Sequence, residues 1–381
     1  MIFLILIISL YSAIFFVYLG YPLIIHLLKR LDPVKKNVFG SSTSVYHIIP
    51  LYNEEGTIEE KVSNCIELKS EFRMVHVFVV DKSGDRTSEV INKFSKLFPD
   101  QIAVIDKGYR KGKNDSLNIA IDQLSPEEND ILLFSDANTF FEKNAFKFLV
   151  ESLREGYDLV GGSMQYYDEV TESAKSEGLY WKYEEWIRRS EAKLGRCIVV
   201  NGGNFAMLAR HFRQLPEFVP NDLEAPLRLC GNGLSVGFNA QAKGLEAAVL
   251  NEEEETSRKR RMGNRQMNCV TYLWPELDLT TKMHIILRKV LRWSGFHFLL
   301  LNLVLTIIYG IFQMNYYFIF LGLLGLFFIV ILALLHYFGN RNKLVMAFHH
   351  AMVVHVNSFN GMLSSVFGKK ISFWDKAESN R

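Results

Sequence analysis

The chain has 381 residues and a formal net charge of +2, enough length for one large catalytic domain plus membrane segments. A near-neutral charge argues against a nucleic-acid partner, because tracking phosphates needs a large basic excess. Apolar residues make up 49% of the chain, 29 of them Phe, and they concentrate at the two ends. The cysteines Cys65, Cys197, Cys230 and Cys269 form no CxxC pair and have no histidines at zinc spacing. They read as reduced thiols of a cytosolic domain.

Ile2 to Leu28 holds no Asp, Glu, Lys or Arg and exceeds the roughly 20 helical residues that cross a hydrocarbon core. A cleaved signal peptide would start basic and stop sooner. Here there is no basic start, and Tyr18, Tyr21 and Pro22 continue the run, so residues 1–28 are expected to be a transmembrane anchor. Lys29, Arg30, Lys35 and Lys36 in the linker 29–43 place the following chain in the cytoplasm.

Residues 44–271 read as a soluble domain. Strand-like runs are SVYHIIP, MVHVFVVD, DILLFSDAN and DLVGGSMQ, with helical stretches at Glu54–Leu68, Thr87–Leu97, Asp115–Leu124 and Asn144–Arg154. Strands alternating with helices predict an α/β domain with a mostly parallel sheet, whose ligands bind at the carboxyl ends of strands. The polar residues there are Asn53, Glu54 and Glu55, then Asp81 and Asp85, then Asp136 and Asn138.

Asp81 is placed to accept an imide N–H or a ribose hydroxyl, or equally to cap a helix. In GYRKGKND, Arg110, Lys111 and Lys113 around glycines make either a phosphate cradle or a solvated basic turn. Asp136 and Asn138 stand two positions apart after a buried run. In an extended chain they would face one way and could grip a hard divalent cation; the plainer reading is a strand ending in an Asx turn. Trp181 and Trp186 suit an acceptor-side or membrane-side surface. Asp222, beside Pro220, is either a helix cap or a base that takes a proton from a hydroxyl. The run EEEETSRKRRMGNRQ matches a helix dipole, supplies cations for a leaving diphosphate, or meets anionic lipid heads.

Residues 272–295 read as an interfacial helix or linker, with Trp293 after Lys289 and Arg292 as interface-anchor composition. Phe296–Phe312 and Tyr316–Phe338 form a predicted transmembrane hairpin over 296–338, turning at Gln313, Met314 and Asn315. Residues 339–381 read as an amphipathic or interfacial segment, because Leu344 to Phe367 carries His349, His350 and His355. Arg341, Lys343, Lys369 and Lys370 favour an inside end. The expectation is a multi-pass inner-membrane protein with three crossings, in contact with membrane lipid.

Taken in order, the motifs between Tyr46 and Gln266 resemble family 2 glycosyltransferases, the inverting, membrane-attached enzymes that include cellulose, hyaluronan and poly-N-acetylglucosamine synthases. The opening P-x-Y/F-N-E is matched by Pro50, Tyr52, Asn53 and Glu54; D-G-S-T-D-G-T by DKSGDRT, with Lys82 and Arg86 where glycines are usual. Arg110, Gly112, Lys113, Leu117 and Asn118 match R-x-G-K…A-L-N, and Asp136-Ala137-Asn138 matches the metal motif. NGGNFAMLARHFRQLP is similar to the acceptor-side stretch, and Asn221, Asp222, Leu227, Arg228 and Gly233 match the paired-acid motif. The resemblance implies a GT-A-type, Rossmann-like domain flanked by transmembrane helices. It implies Asp222 as catalytic base, Mg²⁺ or Mn²⁺ at Asp136 and Asn138, and a nucleotide-sugar donor, UDP-linked, held by Pro50, Tyr52, Asn53, Glu54, Asp81, Lys113, Asp136, Arg258 and Arg261. The acceptor is expected to be a glycan or a lipid-linked molecule. Arg258 and Met262 replace the Gln and Trp of the Q-x-x-R-W motif of processive members, which disfavours a processive polysaccharide synthase. A catalytically inactive sugar-nucleotide-binding membrane protein is the alternative from another class. Charge-free spans disfavour a transporter.

Overall fold

The computed structural model of the chain describes residues 2–28, 36–166, 172–247, 252–340 and 342–371. Lys29, Arg30, Lys35 and Arg341, which enter the orientation argument, lie outside the described residues. The elements in chain order are α1 (Ile2–Phe15), α2 (Tyr21–Leu27), β1 (Ser44–Leu51), α3 (Ile58–Glu67), β2 (Arg73–Val80), α4 (Thr87–Leu97), β3 (Ile102–Asp106) and α5 (Lys113–Leu124). They continue as β4 (Ile131–Phe134), β5 (Phe140–Phe141), α6 (Ala145–Arg154), β6 (Leu159–Tyr166), α7 (Glu172–Ala192), β7 (Phe205–Leu208), α8 (Asn221–Gly231) and β8 (Val236–Glu246). The last five are α9 (Glu252–Leu273), α10 (Leu279–Ile285), α11 (Leu291–Phe312), α12 (Tyr316–Tyr337) and α13 (Lys343–Val366).

The sheet order is β3-β2-β1-β4-β7-β6-β8-β5. Strands β3, β2, β1 and β4 are parallel neighbours, as are β6 and β8, whereas β7 runs against β4 and β6, and β5 runs against β8. The sheet is thus mixed but mostly parallel, the expected Rossmann-like α/β architecture. Its direction has a consequence for the site. The carboxyl ends of β1, β2, β4 and β8 open on one edge, and the segment entering the reversed strand β7 reaches that same edge.

Local chemistry sets the element ends. Helix α3 starts at Ile58, later than the periodicity predicts, because Asn53 is left-handed (φ 54°) and Glu54 carbonyl oxygen accepts from Thr57 and Ile58 N–H. Lys82 stands at φ 47°, a conformation glycine adopts without steric cost, which explains why a glycine is usual there. The apolar positions of β1, β2 and β4 pack with α5, α8 and α9 on one sheet face, around Ile48, Val77, Leu132 and Phe205. On other faces of the sheet, α6 packs with Leu133 and Ala206, and α3 and α4 pack with Phe78 and Val80. The four cysteines are unpaired and buried.

Among the described residues, three helices are long and apolar enough to cross a membrane: Ile2–Leu27, Leu279–Phe312 and Tyr316–Tyr337. The hairpin turn at 313–315 is present, with Met314 left-handed at φ 48°. The second span begins earlier than the sequence periodicity predicts, because α10 runs into α11 through a π-type turn at Ile286–Val290. That turn carries Arg288, fully buried and paired with Glu184 and Glu191 of α7, each at 2.7 Å, while Arg292 reaches Glu184 at 2.7 Å. Burial alone would raise the Glu184 carboxyl; Arg288 and Arg292 reverse that and hold it well below the usual range. These pairs lock the helix that contains Arg288 and Arg292 to α7. Trp293 is buried rather than projecting as an interface anchor.

Helix α13 packs along α9. Small residues let the backbones touch: a Cβ on Gly361 would lie 2.1 Å from Arg260 carbonyl oxygen, and one on Gly263 would lie 2.3 Å from Ser358 carbonyl oxygen. His349 stacks on His336 with ring centroids 3.5 Å apart, and His355 contacts the Tyr18 hydroxyl. The C-terminal histidines therefore pack between helices.

Candidate active site

A cavity of about 330 Å³ opens at the carboxyl edge of the sheet, roofed by α7, α9 and the π-type turn before α11. Tyr52, Asp81, Lys113, Asp136, Asp222, Arg258 and Arg261 all line it. Pro50, Asn53, Glu54 and Asn138 are not among its lining residues.

At one end Arg110 lies over the Tyr52 ring, 4.0 Å from its centroid, which makes a planar cationic surface. Asp81, directly after β2, is nearly fully buried; its Oδ1 accepts from Lys111 N–H at 2.9 Å and its Oδ2 from Gly112 N–H at 2.8 Å, and Lys107 lies 2.6 Å away. Asp81 therefore orders the basic loop. This corrects the phosphate-cradle reading: the N–H groups of Lys111 and Gly112 face a carboxylate of the protein itself. Asn53 and Glu54 tie loops together. Asn53 Oδ1 accepts from Gly84 N–H at 2.8 Å, and Glu54 N–H donates to Thr87 Oγ1 at 2.8 Å.

The middle of the cavity gathers carboxylates and Lys113. The Lys113 ammonium contacts the Asp136 carboxylate and donates to Gly202 carbonyl oxygen at 3.2 Å. Ala137 and Asn138 form a turn, so the extended-chain argument that aims Asn138 beside Asp136 does not hold. The second acid comes from elsewhere. A Cβ on Gly203 would lie 3.2 Å from Glu246 Oε1, 3.4 Å from Asp136 Oδ2 and 2.5 Å from Thr139 Oγ1. Only a glycine leaves this cradle open. Glu246, at the end of β8, also accepts from the Thr139 hydroxyl. Burial, then the Asp136 charge, pushes its carboxyl up to about 7. Two converging carboxylates around an open pocket fit a hard divalent cation with oxygen ligands, with Asp136 and Glu246 as the donor set.

Lys61 is a residue the sequence reading missed. It is fully buried beneath this loop and donates to Ser135 Oγ at 2.9 Å and to Thr139 carbonyl oxygen at 2.5 Å. His47 joins it through Ser135 Oγ at 2.7 Å and meets His76, Nδ1 to Nδ1, at 2.9 Å, with Cys65 Sγ 3.9 Å from His47 Nδ1. Chain folding thus gathers histidines and a cysteine that no local spacing revealed. Burial and the Lys61 charge hold both imidazoles below their usual range, so the cluster reads as a neutral hydrogen-bonded network supporting the 135–139 loop.

Asp222 does not cap its helix. It is the second residue of α8, whose cap position is Pro220, and no side-chain cap bond forms. Pro226, four residues on, has no N–H to offer Asp222 carbonyl oxygen. Val200 N–H donates to that oxygen instead, at 3.1 Å, and draws the 200–203 loop against Asp222, whose Cβ lies 3.5 Å from the Cβ position of Gly202. Among the described residues, no group donates to the Asp222 carboxylate. Burial raises its pKa, against the opposing charges of Lys113, Lys289, Arg265 and Arg188. Glu224 is differently employed: it is buried, and Arg228 Nε lies 2.7 Å from its Oε1.

The roof carries α9. Arg258 Nε pairs with Glu255 at 2.9 Å, and Arg261 is pushed down to about 10 by burial and by the charges of Arg265 and Arg258. Trp181 lines the cavity, whereas Trp186 donates to His26 Nδ1 at 3.1 Å on the side of α2. Arg265, which the basic run offered with Arg258 and Arg261 as a cation for the leaving diphosphate, also lines the cavity, as do Arg188 and Lys289, which were not expected from their sequence context.

The glycosyl transferase family 2 profile matches residues 46–215. The chain is 30% identical over 107 residues to a poly-β-1,6-N-acetyl-D-glucosamine synthase of Staphylococcus aureus, covering 28% of this chain and 24% of that protein. It is 31% identical over 109 residues to a probable glycosyltransferase, YdaM, of Bacillus subtilis, covering 28% and 25%. The chain thus spans about a quarter of the length of these curated relatives. A mannosyltransferase from Pyrobaculum calidifontis, solved with GDP-Man and Mn²⁺, superposes with a TM-score of 0.72 at 16% identity, covering 96% of this chain and 99% of that one. That likeness extends the shared GT-A-type fold to the flanking helices. Residues 46–215 of this chain are a glycosyl transferase family 2 domain.

Proposed function

We propose that the protein is a membrane-bound inverting glycosyltransferase that moves a sugar from a nucleotide-sugar to a hydroxyl of a glycan or lipid-linked acceptor, in cell-surface polysaccharide or glycolipid synthesis. The observation that carries the proposal is Asp222: a half-buried carboxylate receiving no hydrogen bond from the described residues, in the same cavity as Lys113, Asp136 and Glu246. The Tyr52–Arg110 surface binds the nucleoside by stacking. Lys113, Arg258 and Arg261 meet the diphosphate. Asp136 and Glu246 would hold a divalent cation, which when bound would supply charge neutralisation for the leaving group. Asp222 accepts the proton of the acceptor hydroxyl as its oxygen bonds to the anomeric carbon. The carbon–oxygen bond to the diphosphate breaks, and the nucleoside diphosphate leaves with the electron pair from the opposite face, so configuration inverts. The donor is UDP-linked by the family resemblance, and the fold neighbour solved with GDP-Man makes GDP the other base to test. The catalytic domain faces the cytoplasm at the inner membrane.

The test is nucleotide release by the purified full chain from UDP- and GDP-sugars in the presence of Mn²⁺. Release from one sugar donor, lost in excess chelator, is the expected result; binding of nucleotide without release from any donor would support the inactive binding protein. Product length separates single addition from processive synthesis, the activity named for the Staphylococcus relative.

A further inference from the structure

We infer that the cavity beyond Asp222 is an oxyanion site that holds a phosphoryl group of the acceptor. The inference rests on the glycosyltransferase reading and names the chemical class of its second substrate.

Three donors converge here without a protein acceptor. Arg188 Nε, Asn221 Nδ2 and Arg265 Nε are buried and make no hydrogen bond, and all three residues line the cavity. The rest of each guanidinium is anchored. Arg188 Nη1 donates to Asn201 Oδ1 at 2.7 Å, and Arg265 Nη2 donates to Val219 carbonyl oxygen at 2.5 Å. Both anchors are close to Asp222: Asn201 belongs to the 200–203 loop that Val200 ties to it, and Val219 is three residues before it. Lys289 reaches the same space from the π-type turn, and no carboxylate among the described residues lies within ion-pair distance of it. A buried donor left unmet is costly, and a set of them around one space is met at once by the oxygens of a single anion. Arginine forks and an ammonium suit a tetrahedral phosphoryl group, with three outward oxygens, better than a two-oxygen carboxylate.

These cations are distinct from those of the donor. The charges acting most on Glu246 are Asp136, Arg258 and Lys113, whereas those acting on Asp222 are Lys113, Lys289, Arg265 and Arg188. Arg258 and Arg265 are seven residues apart on α9, about 10 Å along its axis. Lys113 stands between the two groups, as a residue facing both the leaving diphosphate and the acceptor would. A phosphoryl group here comes either from a lipid carrier or from a soluble phosphorylated glycan.

The experiment is calorimetric titration of the full chain in maltoside detergent, saturated with UDP and Mn²⁺ or GDP and Mn²⁺. The probes are dodecyl phosphate and glycerol 3-phosphate, with dodecanol and glycerol as uncharged controls. The expected result is that a phosphate probe binds alongside the nucleotide and its control does not. Arg265→Gln or Arg188→Gln should weaken that probe tenfold or more and leave nucleotide affinity within twofold. Preference for dodecyl phosphate assigns a lipid source, and equal binding of glycerol 3-phosphate a soluble one. Displacement of the probe by nucleotide, or absence of phosphate binding, overturns the inference in wild-type protein even if the variants do not fold. Phosphate binding with no affinity for either nucleotide would instead leave the oxyanion site standing and remove the transferase reading.

Discussion

Asp222→Asn separates chemistry from architecture. The side chain makes no cap bond and receives no hydrogen bond from the described residues, so no cap stabilisation of roughly 1 kcal/mol is at stake. The link to Val200 uses the backbone carbonyl and survives substitution. Burial raises the Asp222 pKa in the folded chain, so ionising it there is less favourable than in the unfolded chain. Its charge is a liability for stability above its unfolded pKa, and the window lies between the ordinary carboxylate value and the raised one. Asp222→Asn should therefore melt at or slightly above the wild-type temperature at neutral pH. Turnover should fall by about 10²- to 10⁴-fold, the range of general-base catalysis. The wild-type rate should rise with pH through the raised pKa, because only the ionised form accepts a proton, and that limb should vanish in the variant. The assay is nucleotide release, nucleotide affinity and thermal melting on one preparation. Turnover near that of wild type with normal nucleotide binding would refute the assignment, and the Glu224–Arg228 pair leaves no obvious substitute at this position.

Tyr52→Ala removes the surface under Arg110 and should weaken nucleotide binding by about 1 kcal/mol, read by titration with UDP or GDP; an unchanged affinity places the base elsewhere. Gly203→Ala puts a Cβ 2.5 Å from Thr139 Oγ1, the hydroxyl that holds Glu246. Loss of such a supporting partner should weaken Mn²⁺ binding by about 10- to 100-fold, whereas Asn138→Ala should change it little because the turn takes that side chain off the cavity lining. Gly361→Ala drives a Cβ to 2.1 Å from Arg260 carbonyl oxygen. It should cost about 1–3 kcal/mol as overpacking and lower activity by shifting α9; an unaltered melting temperature would show that the α9–α13 contact is loose. Reporters fused after Lys36 and after Arg381 should both give cytoplasmic signals. An exported signal at Arg381 alone would mean that the α13 segment crosses.

Much of the scaffold was legible in the linear chain because its signals are local. The run of Thr87–Leu97 has the length and ends of α4, and the apolar runs after Ser44, Met74 and Asp130 fall on β1, β2 and β4. The two apolar runs around 313–315 are α11 and α12. Strands β7 and β8 were not: FAML is only four residues, and VGFNAQAKGLE has too little apolar alternation to announce a strand. Their extended state comes from pairing with β4 and β6, partners distant in sequence. The start of α3 differs from the periodicity because the left-handed backbone at Asn53 and the turn closed on Glu54 carbonyl oxygen delay the helix to Ile58.

For the site, the order of the motifs and their resemblance to family 2 glycosyltransferases led to the expectation that Tyr52, Asp81, Lys113, Asp136 and Asp222 share one site, and all five line one cavity. Only the tertiary structure decided their company. Glu246 reaches Asp136 because β8 runs parallel to β6 while β7 is reversed, which brings Gly203 and the end of β8 to one edge. Asn138 leaves that company because its backbone turns. Arg188, Arg265 and Lys289 surround Asp222 because α7, α9 and the π-type turn before α11 close over it, held by the Arg288 pairs and the glycine contacts of α13. Local periodicity records which face of an element is apolar. It carries no record of which distant faces meet, because that is set by the burial of many weak contacts at once.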